Sequence, residues 1–261
     1  GGAVLVLDTN LNSLVRLESQ GWTGKRIPLI ANEDDPFGDW YYQSSERRAA
    51  YQQQFPAFRL AASGRGFFLL DRLRGVAHRF DDNGRLAGKL RGPFSWPLDL
   101  AADEEAVYVA DHGRRAILAC DPAGVTPTRE LISGVIPSSV SVLDGALAYT
   151  DRATHEVVVV LLDGLKEESR TSLQAVTDTT SVTLLADGLI LVVQPKRQQI
   201  HLLSRRGGEV VVNNTSGMFN HPPPVFSPRG GYRPRGGSEM LLLGENELVL
   251  VPLTRPSREE E

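Results

Sequence analysis

A single cysteine among 261 residues excludes an internal disulfide and fits a reducing compartment. It is Cys120, in the apolar run Ala116-Ile-Leu-Ala-Cys120, where a buried and inert thiol is expected. Long apolar runs are also missing: none approaches the roughly 18 residues that a membrane-spanning helix needs. No membrane association is expected, and the expected location is the cytoplasm. Lysine is scarce, 4 residues against 24 arginines, and the net charge is −4. That balance argues against a strongly basic nucleic-acid binder, yet arginine is the cation suited to planar, bidentate contacts with anions. Coding bias produces the same skew, so composition alone assigns no ligand. Catalytic signatures are absent too. Neither Gly-x-Ser-x-Gly nor His-Glu-x-x-His occurs, nor a closely spaced His/Cys set, so no catalytic residue, metal ligand or cofactor is assigned. The histidines (His78, His112, His155, His201, His221) are dispersed. His201 reads as a structural strand residue, while His112 and His155 fall in successive turns without the carboxylates a metal site would need. The acidic stretch at 33–39 fits no standard calcium loop and reads as solvated.

What is present is a repeat. Gly66-Phe-Phe-Leu-Leu-Asp71, Ala106-Val-Tyr-Val-Ala-Asp111, Ala146-Leu-Ala-Tyr-Thr-Asp151 and Leu189-Ile-Leu-Val-Val-Gln194 are short apolar runs, each ending in a polar residue. Each is followed by a polar turn, a second apolar run and a glycine: Gly84, Gly124, Gly164, and Gly207 or Gly208. The first three glycines are 40 residues apart. A period of this length, built from short strands, predicts an all-β protein: a β-propeller of four-stranded antiparallel blades. In one copy, strand A would span 97–102, B 106–111, C 116–121 and D about 126–132, with tight turns at 103–105 and 121–124. The strands read as continuous Val, Leu and Ile because a blade is packed on both faces by its neighbours.

Partial copies lie at both ends, at 3–17 and 240–251. They predict closure by strands from both termini, in six blades, with five as the alternative. A single domain over 1–261 is expected, with insertions at 19–57 and 214–239. The first holds Trp40-Tyr-Tyr42 and a short helix starting at Ser44 or Ser45; the second is a Pro/Gly-rich loop. The start at Gly1-Gly2 reads as a fragment of a larger chain.

The segment Pro97-Leu-Asp-Leu-Ala-Ala-Asp-Glu-Glu-Ala-Val-Tyr-Val-Ala-Asp-His-Gly-Arg-Arg-Ala-Ile-Leu-Ala-Cys-Asp-Pro-Ala-Gly124 resembles an NHL repeat. Ile136-Pro137 with Asp151, and Phe55-Pro56 with Asp71, carry parts of the same pattern, whereas the Gln194 copy lacks the strand-end Asp and puts Pro195 in the turn. The resemblance implies a propeller like those at the C-terminal end of TRIM-type ubiquitin ligases, which bind RNA or recruit proteins. It also implies that turn arginines pair with the strand-end residues Asp71, Asp111 and Asp151.

In a four-stranded blade the A–B and C–D turns share one side of the disc, and the B–C turns and blade-to-blade connections share the other. The first side collects Asp81, Asp82, Asp103, Glu104, Glu105, Asp121, Asp144, Asp163, Glu167, Glu168, Asp187 and Glu245. The second collects Arg72, Arg74, His112, Arg114, Arg115, Arg152, His155, Lys196, Arg197 and Arg255. The 214–239 segment adds Arg229, Tyr232, Arg233 and Arg235 in two Arg-Gly-Gly motifs similar to those of RNA-binding proteins. Such asymmetry predicts a non-catalytic recognition module that binds an anionic partner on its Arg-rich side. Single-stranded RNA is expected first, its phosphates on the arginines and its bases stacked on Tyr232 or Trp40–Tyr42. An acidic protein segment, anchored by Trp22, Trp40, Tyr41, Phe219 and Phe226, is the alternative. A metal-dependent lactonase or lyase is the enzymatic alternative, and there only Asp99 is a plausible inner-strand ligand.

Overall fold

The computed structural model describes residues 3–8, 13–18, 23–28, 58–64, 66–72, 74–90, 92–124, 128–177, 179–185, 188–197, 199–214, 230–232, 239–243 and 248–252. Among them lie six antiparallel sheets, four of four strands and two of three. The first contains β1 (Ala3–Asp8), β2 (Ser13–Glu18) and β3 (Thr23–Pro28). The second contains β4 (Phe58–Ser63), β5 (Gly66–Asp71), β6 (Val76–Phe80) and β7 (Leu86–Leu90). The third contains β8 (Pro97–Ala102), β9 (Val107–Asp111), β10 (Ala116–Cys120) and β11 (Arg129–Ser133). Then follow β12 (Pro137–Leu143), β13 (Ala146–Asp151), β14 (Glu156–Leu161) and β15 (Lys166–Ser172). The fifth contains β16 (Ser181–Leu184), β17 (Leu189–Gln194), β18 (Gln199–Ser204) and β19 (Glu209–Asn214), and the last β20 (Gly230–Tyr232), β21 (Glu239–Leu243) and β22 (Leu248–Pro252). In every sheet the strands pair in chain order. The first strands β4, β8, β12, β16 and β20 lie beside one another in succession, so the sheets fan out from a shared line of inner strands.

The period-two alternation of a strand explains the core. In β9, Val107 and Val109 pack toward the preceding sheet with Phe68 and Leu70, while Tyr108 and Ala110 pack toward the following sheet with Leu147 and Tyr149. In β13, Ala146 and Ala148 pack onward against Ile190 and Val192. Both faces of each central strand are buried, which is why these runs look continuously apolar. Cys120 belongs to this core, and burial pushes its thiol up to about 11.

The expected boundaries shift in three places. Within 19–57, residues 23–28 are β3, and within 214–239, residues 230–232 are β20. The helix expected after Ser44 lies outside the described residues. The described strands of the two chain ends sit in separate sheets: β1 pairs with β2, and β21 with β20 and β22. The outermost strand of the 97–124 copy begins later than expected, at Arg129.

Candidate functional site

On the B–C side of the third, fourth and fifth sheets, the turn is fastened to the connection that delivers the sheet's inner strand. Asp111, at the end of β9, is fully buried and accepts three backbone N–H groups: Ser95 (2.8 Å), Trp96 (2.9 Å) and Arg114 (3.1 Å). Asp151 accepts Ile136 N–H at 3.1 Å and Ala153 N–H at 2.9 Å. In the fourth copy Gln194 replaces the acid and reverses the polarity, its amide donating to the Ala175 carbonyl while its Oε1 meets His201 Nε2 at 2.9 Å. His201 is buried in β18, a structural role as expected. The implied Arg–Asp pairs give way to bonds with backbone amides. Among the described residues, Arg74 is the one turn arginine with an ion pair to its strand-end acid, at 3.8 Å from Asp71.

Around Asp111 and Asp151 the cations of this side therefore stand outside carboxylates that backbone amides already engage. Arg74, Arg114, Arg115, Lys196 and Arg197 are exposed, Arg152 is half-buried, and Arg72 is buried. Arg114 donates to the Pro93 carbonyl (3.2 Å) and to Glu130 (3.0 Å), and Arg197 donates to Gln199 (3.0 Å) and Gln174. Among the described residues, the Arg115 and Arg152 side chains make no hydrogen bond or ion pair. His155 Nδ1 accepts Val176 N–H at 3.1 Å, and the His112 ring meets the edge of Trp96 at 4.8 Å between centroids. Arg229, Arg233, Arg235 and Arg255, the Trp40–Tyr42 cluster and the acidic stretch 33–39 lie outside the described residues, as does the side chain of Tyr232.

Neighbouring sheets are tied together on the opposite side. Gly64 N–H donates to Glu104 (3.0 Å), Arg79 to the Pro122 carbonyl (3.1 Å), and Arg205 to Glu168 (2.6 Å), each reaching a neighbouring sheet. Asp81, Asp103 and Asp121 accept the amides of their own turns. Asp82, Glu104, Glu105, Asp144 and Asp163 are exposed there. Arg205 and Arg206 sit in the fifth sheet's turn on this side, so the separation of charge is biased rather than complete.

No protein-family model matches the chain, and no curated protein matches it in sequence. Solved structures do match. A chain of the nidogen/laminin complex aligns over 97% of this chain and 90% of its own, with 15% identity and a TM-score of 0.66. The Myxococcus xanthus glutaminyl cyclase aligns over 74% of this chain and 90% of its own (13%, TM-score 0.50), and a streptogramin B lyase over 76% and 70% (14%, TM-score 0.52). The fold is a β-propeller. At these identities the likeness concerns the fold alone, and the NHL likeness remains one of residues.

The propeller's inner strands carry a polar chain of their own. Asp99 of β8 accepts Ser139 Oγ–H (2.6 Å) and Val140 N–H (3.1 Å) from β12, and Arg59 of β4 lies 3.7 Å from it. Ser139 and Ser141 in turn accept Val182 N–H (3.1 Å) and Leu184 N–H (3.0 Å) from β16. An inner strand is an edge strand, with N–H groups that no further strand pairs. Here the side chains of one propeller sheet satisfy the edge of the next. Burial raises the Asp99 carboxyl above its ordinary range against the pull of Arg59 and these hydrogen bonds. Among the described residues no three His, Cys, Asp or Glu side chains cluster as metal ligands.

One residue on the B–C side escaped the reading of the sequence: Trp96, 56% exposed directly before the first inner proline of its sheet. Its place in a connection on the basic side was the available signal.

Proposed function

We propose that this propeller is a recognition module whose B–C side binds an acidic segment of another protein. One observation carries the reading: on that side Asp111 and Asp151 are buried and engaged by backbone amides, while the side chains of Arg115 and Arg152 make no ion pair among the described residues and so contribute an uncompensated positive field. Two further points support protein over single-stranded RNA. The chain's net charge is −4, with an acidic opposite side that repels a long polyanion. A similar fold also forms part of the nidogen/laminin complex. The enzymatic alternative has little to build on, because Asp99 is the one carboxylate of the described inner strands and its oxygens are engaged.

The test uses Arg115 and Arg152, the two cations of the B–C side whose side chains have no partner among the described residues. Binding of polyglutamate and of oligouridylate is measured at low and high salt for wild type, Arg115→Glu/Arg152→Glu, and Arg206→Glu on the opposite side. Wild type is expected to prefer polyglutamate and to weaken with salt, the double variant to lose about tenfold, and Arg206→Glu to match wild type. A wild type that binds neither polymer, or a double variant that binds as wild type does, sinks the proposal. Preference for oligouridylate would make nucleic acid the partner instead.

A further inference from the structure

We infer that Trp96 and Arg115 form the anchor of this face, taking up an apolar side chain flanked by carboxylates in an acidic segment. The inference rests on the proposed function and narrows it to one corner. Among the described residues only two large hydrophobic side chains are exposed, Trp96 at 56% and Leu165 at 42%. The core aromatics are shut away: Phe67, Phe68, Phe80, Tyr108 and Tyr149 are all at 4% or less.

Trp96 is exposed yet held in place. Its N–H donates to Asp111 (2.9 Å), its carbonyl accepts His112 N–H (3.0 Å), and its ring abuts His112. Gly113 lets the turn close on it, since a Cβ there would stand 2.6 Å from Ser95 Oγ and 3.0 Å from Trp96 Cβ. An aromatic side chain fixed before binding loses little freedom on contact, which is what an interface anchor requires.

Arg115 ends the same turn with φ at 56°. The equivalent residue in the preceding sheet is Gly75, with φ at 61°, the residue type that adopts this conformation without strain. In the following sheet it is His155, φ 59°, whose ring is used to hold Val176 N–H. Arg115 bears the same strain, and its exposed side chain holds nothing within the described residues. Strain of this kind is also present at Leu165 (φ 52°), so it is the position of Arg115, in the turn that seats Trp96, that ties its side chain to recognition. A cation in the turn that seats a single exposed aromatic fits an acidic peptide with one apolar side chain; nucleic acid favours a row of stacking surfaces.

Three probes test this: a glutamate-rich peptide with one central leucine, the same peptide with serine in its place, and oligouridylate. Trp96→Ala is expected to weaken the leucine peptide about tenfold or more and to leave the serine peptide unchanged. Arg115→Gly is expected to weaken both peptides severalfold while its urea midpoint equals or exceeds that of wild type. Leu165→Ala serves as the exposed-apolar control and should bind as wild type does. If Trp96→Ala binds the leucine peptide like wild type while the salt-sensitive binding of polyglutamate persists, the anchor is refuted and the broader function stands. Oligouridylate bound more tightly than either peptide overturns the anchor's ligand. Binding of no probe by wild type overturns both.

Discussion

Asp111 and Asp103 belong to one sheet and accept three hydrogen bonds each, yet they stand on opposite sides of the disc and differ in almost everything else. Asp103 serves its own turn: it accepts Glu105 N–H, Ala106 N–H and the Tyr108 hydroxyl, all within five residues, and stays half-buried. Asp111 reaches back 15 and 16 residues to join the incoming connection to the turn and is wholly buried. The contrast explains how a weakly charged chain becomes polar. Both sides make their turns with aspartate; one side leaves the acids at the surface, and the other hides them beneath arginines.

The largest effect expected from that contrast is the loss of Asp111. Asp111→Ala orphans three amides in a place water reaches poorly and should cost about 2–4 kcal/mol, whereas Asp103→Ala should cost about 1 kcal/mol because solvent replaces the lost bonds. Urea unfolding at unchanged m-value measures both. Equal losses would break the comparison. Asp111→Ala should also release Trp96 from its seat, so fluorescence of a variant retaining Trp96 as its one tryptophan should move toward the water-exposed wavelength in the native state.

A carboxylate between these extremes sharpens the point by its pH dependence. Asp99 is half-buried among inner strands, and desolvation there raises its folded pKa above the ordinary value of 3.8. A raised carboxyl favours the folded state when protonated. Its stabilising contribution is therefore fully present below pH 3.8 and is lost as pH rises through the folded value. Stability of wild type relative to Asp99→Asn should fall over that interval, by about 1 kcal/mol for each unit of separation. A difference that is flat with pH, or that rises, would show that Arg59 and the hydrogen bonds outweigh desolvation.

How much of this was legible beforehand follows from what each element needs. Central strands such as β9 and β13 need apolar residues toward both neighbours, so they stand out as unbroken runs at a fixed spacing. Outer strands need only one backbone partner. Arg129–Ser133 is mostly exposed, and Lys166–Ser172 shows a charged surface, so neither carries a hydrophobic signal. For the same reason β3, Thr-Gly-Lys-Arg-Ile-Pro, reads in the sequence as part of an insertion. The sides of the disc were legible because antiparallel order alone fixes which turns share a side. The partners of the strand-end acids were not: whether Asp111 meets a guanidinium or an amide depends on how the connection at 92–96 folds over it, and residues from Gly92 to Trp96 carry no periodic pattern. Trp96 was missed for that reason as well.

The smallest expected effect concerns cations rather than acids. On the outer strand β15, Arg170 is paired with Glu156 (2.5 Å) and Glu167 (2.7 Å), whereas Arg152 on the B–C side has no such partner among the described residues. Exposed pairs are worth little, so Arg170→Ala should cost below about 1 kcal/mol and Arg152→Ala close to nothing. The pH signature runs opposite to that of Asp99. A bond from Thr154, then Arg170, lowers Glu156, and Arg170 lowers Glu167. Depressed carboxyls contribute stability above their ordinary value of 4.5 and lose it as pH falls through the folded values. Arg170→Ala should therefore lessen the acid sensitivity of unfolding below that point, and added salt should shrink the difference between variant and wild type. Should Arg152→Ala prove the more costly of the two, the bare cations would be holding the propeller together, and the side assigned to recognition would be structural.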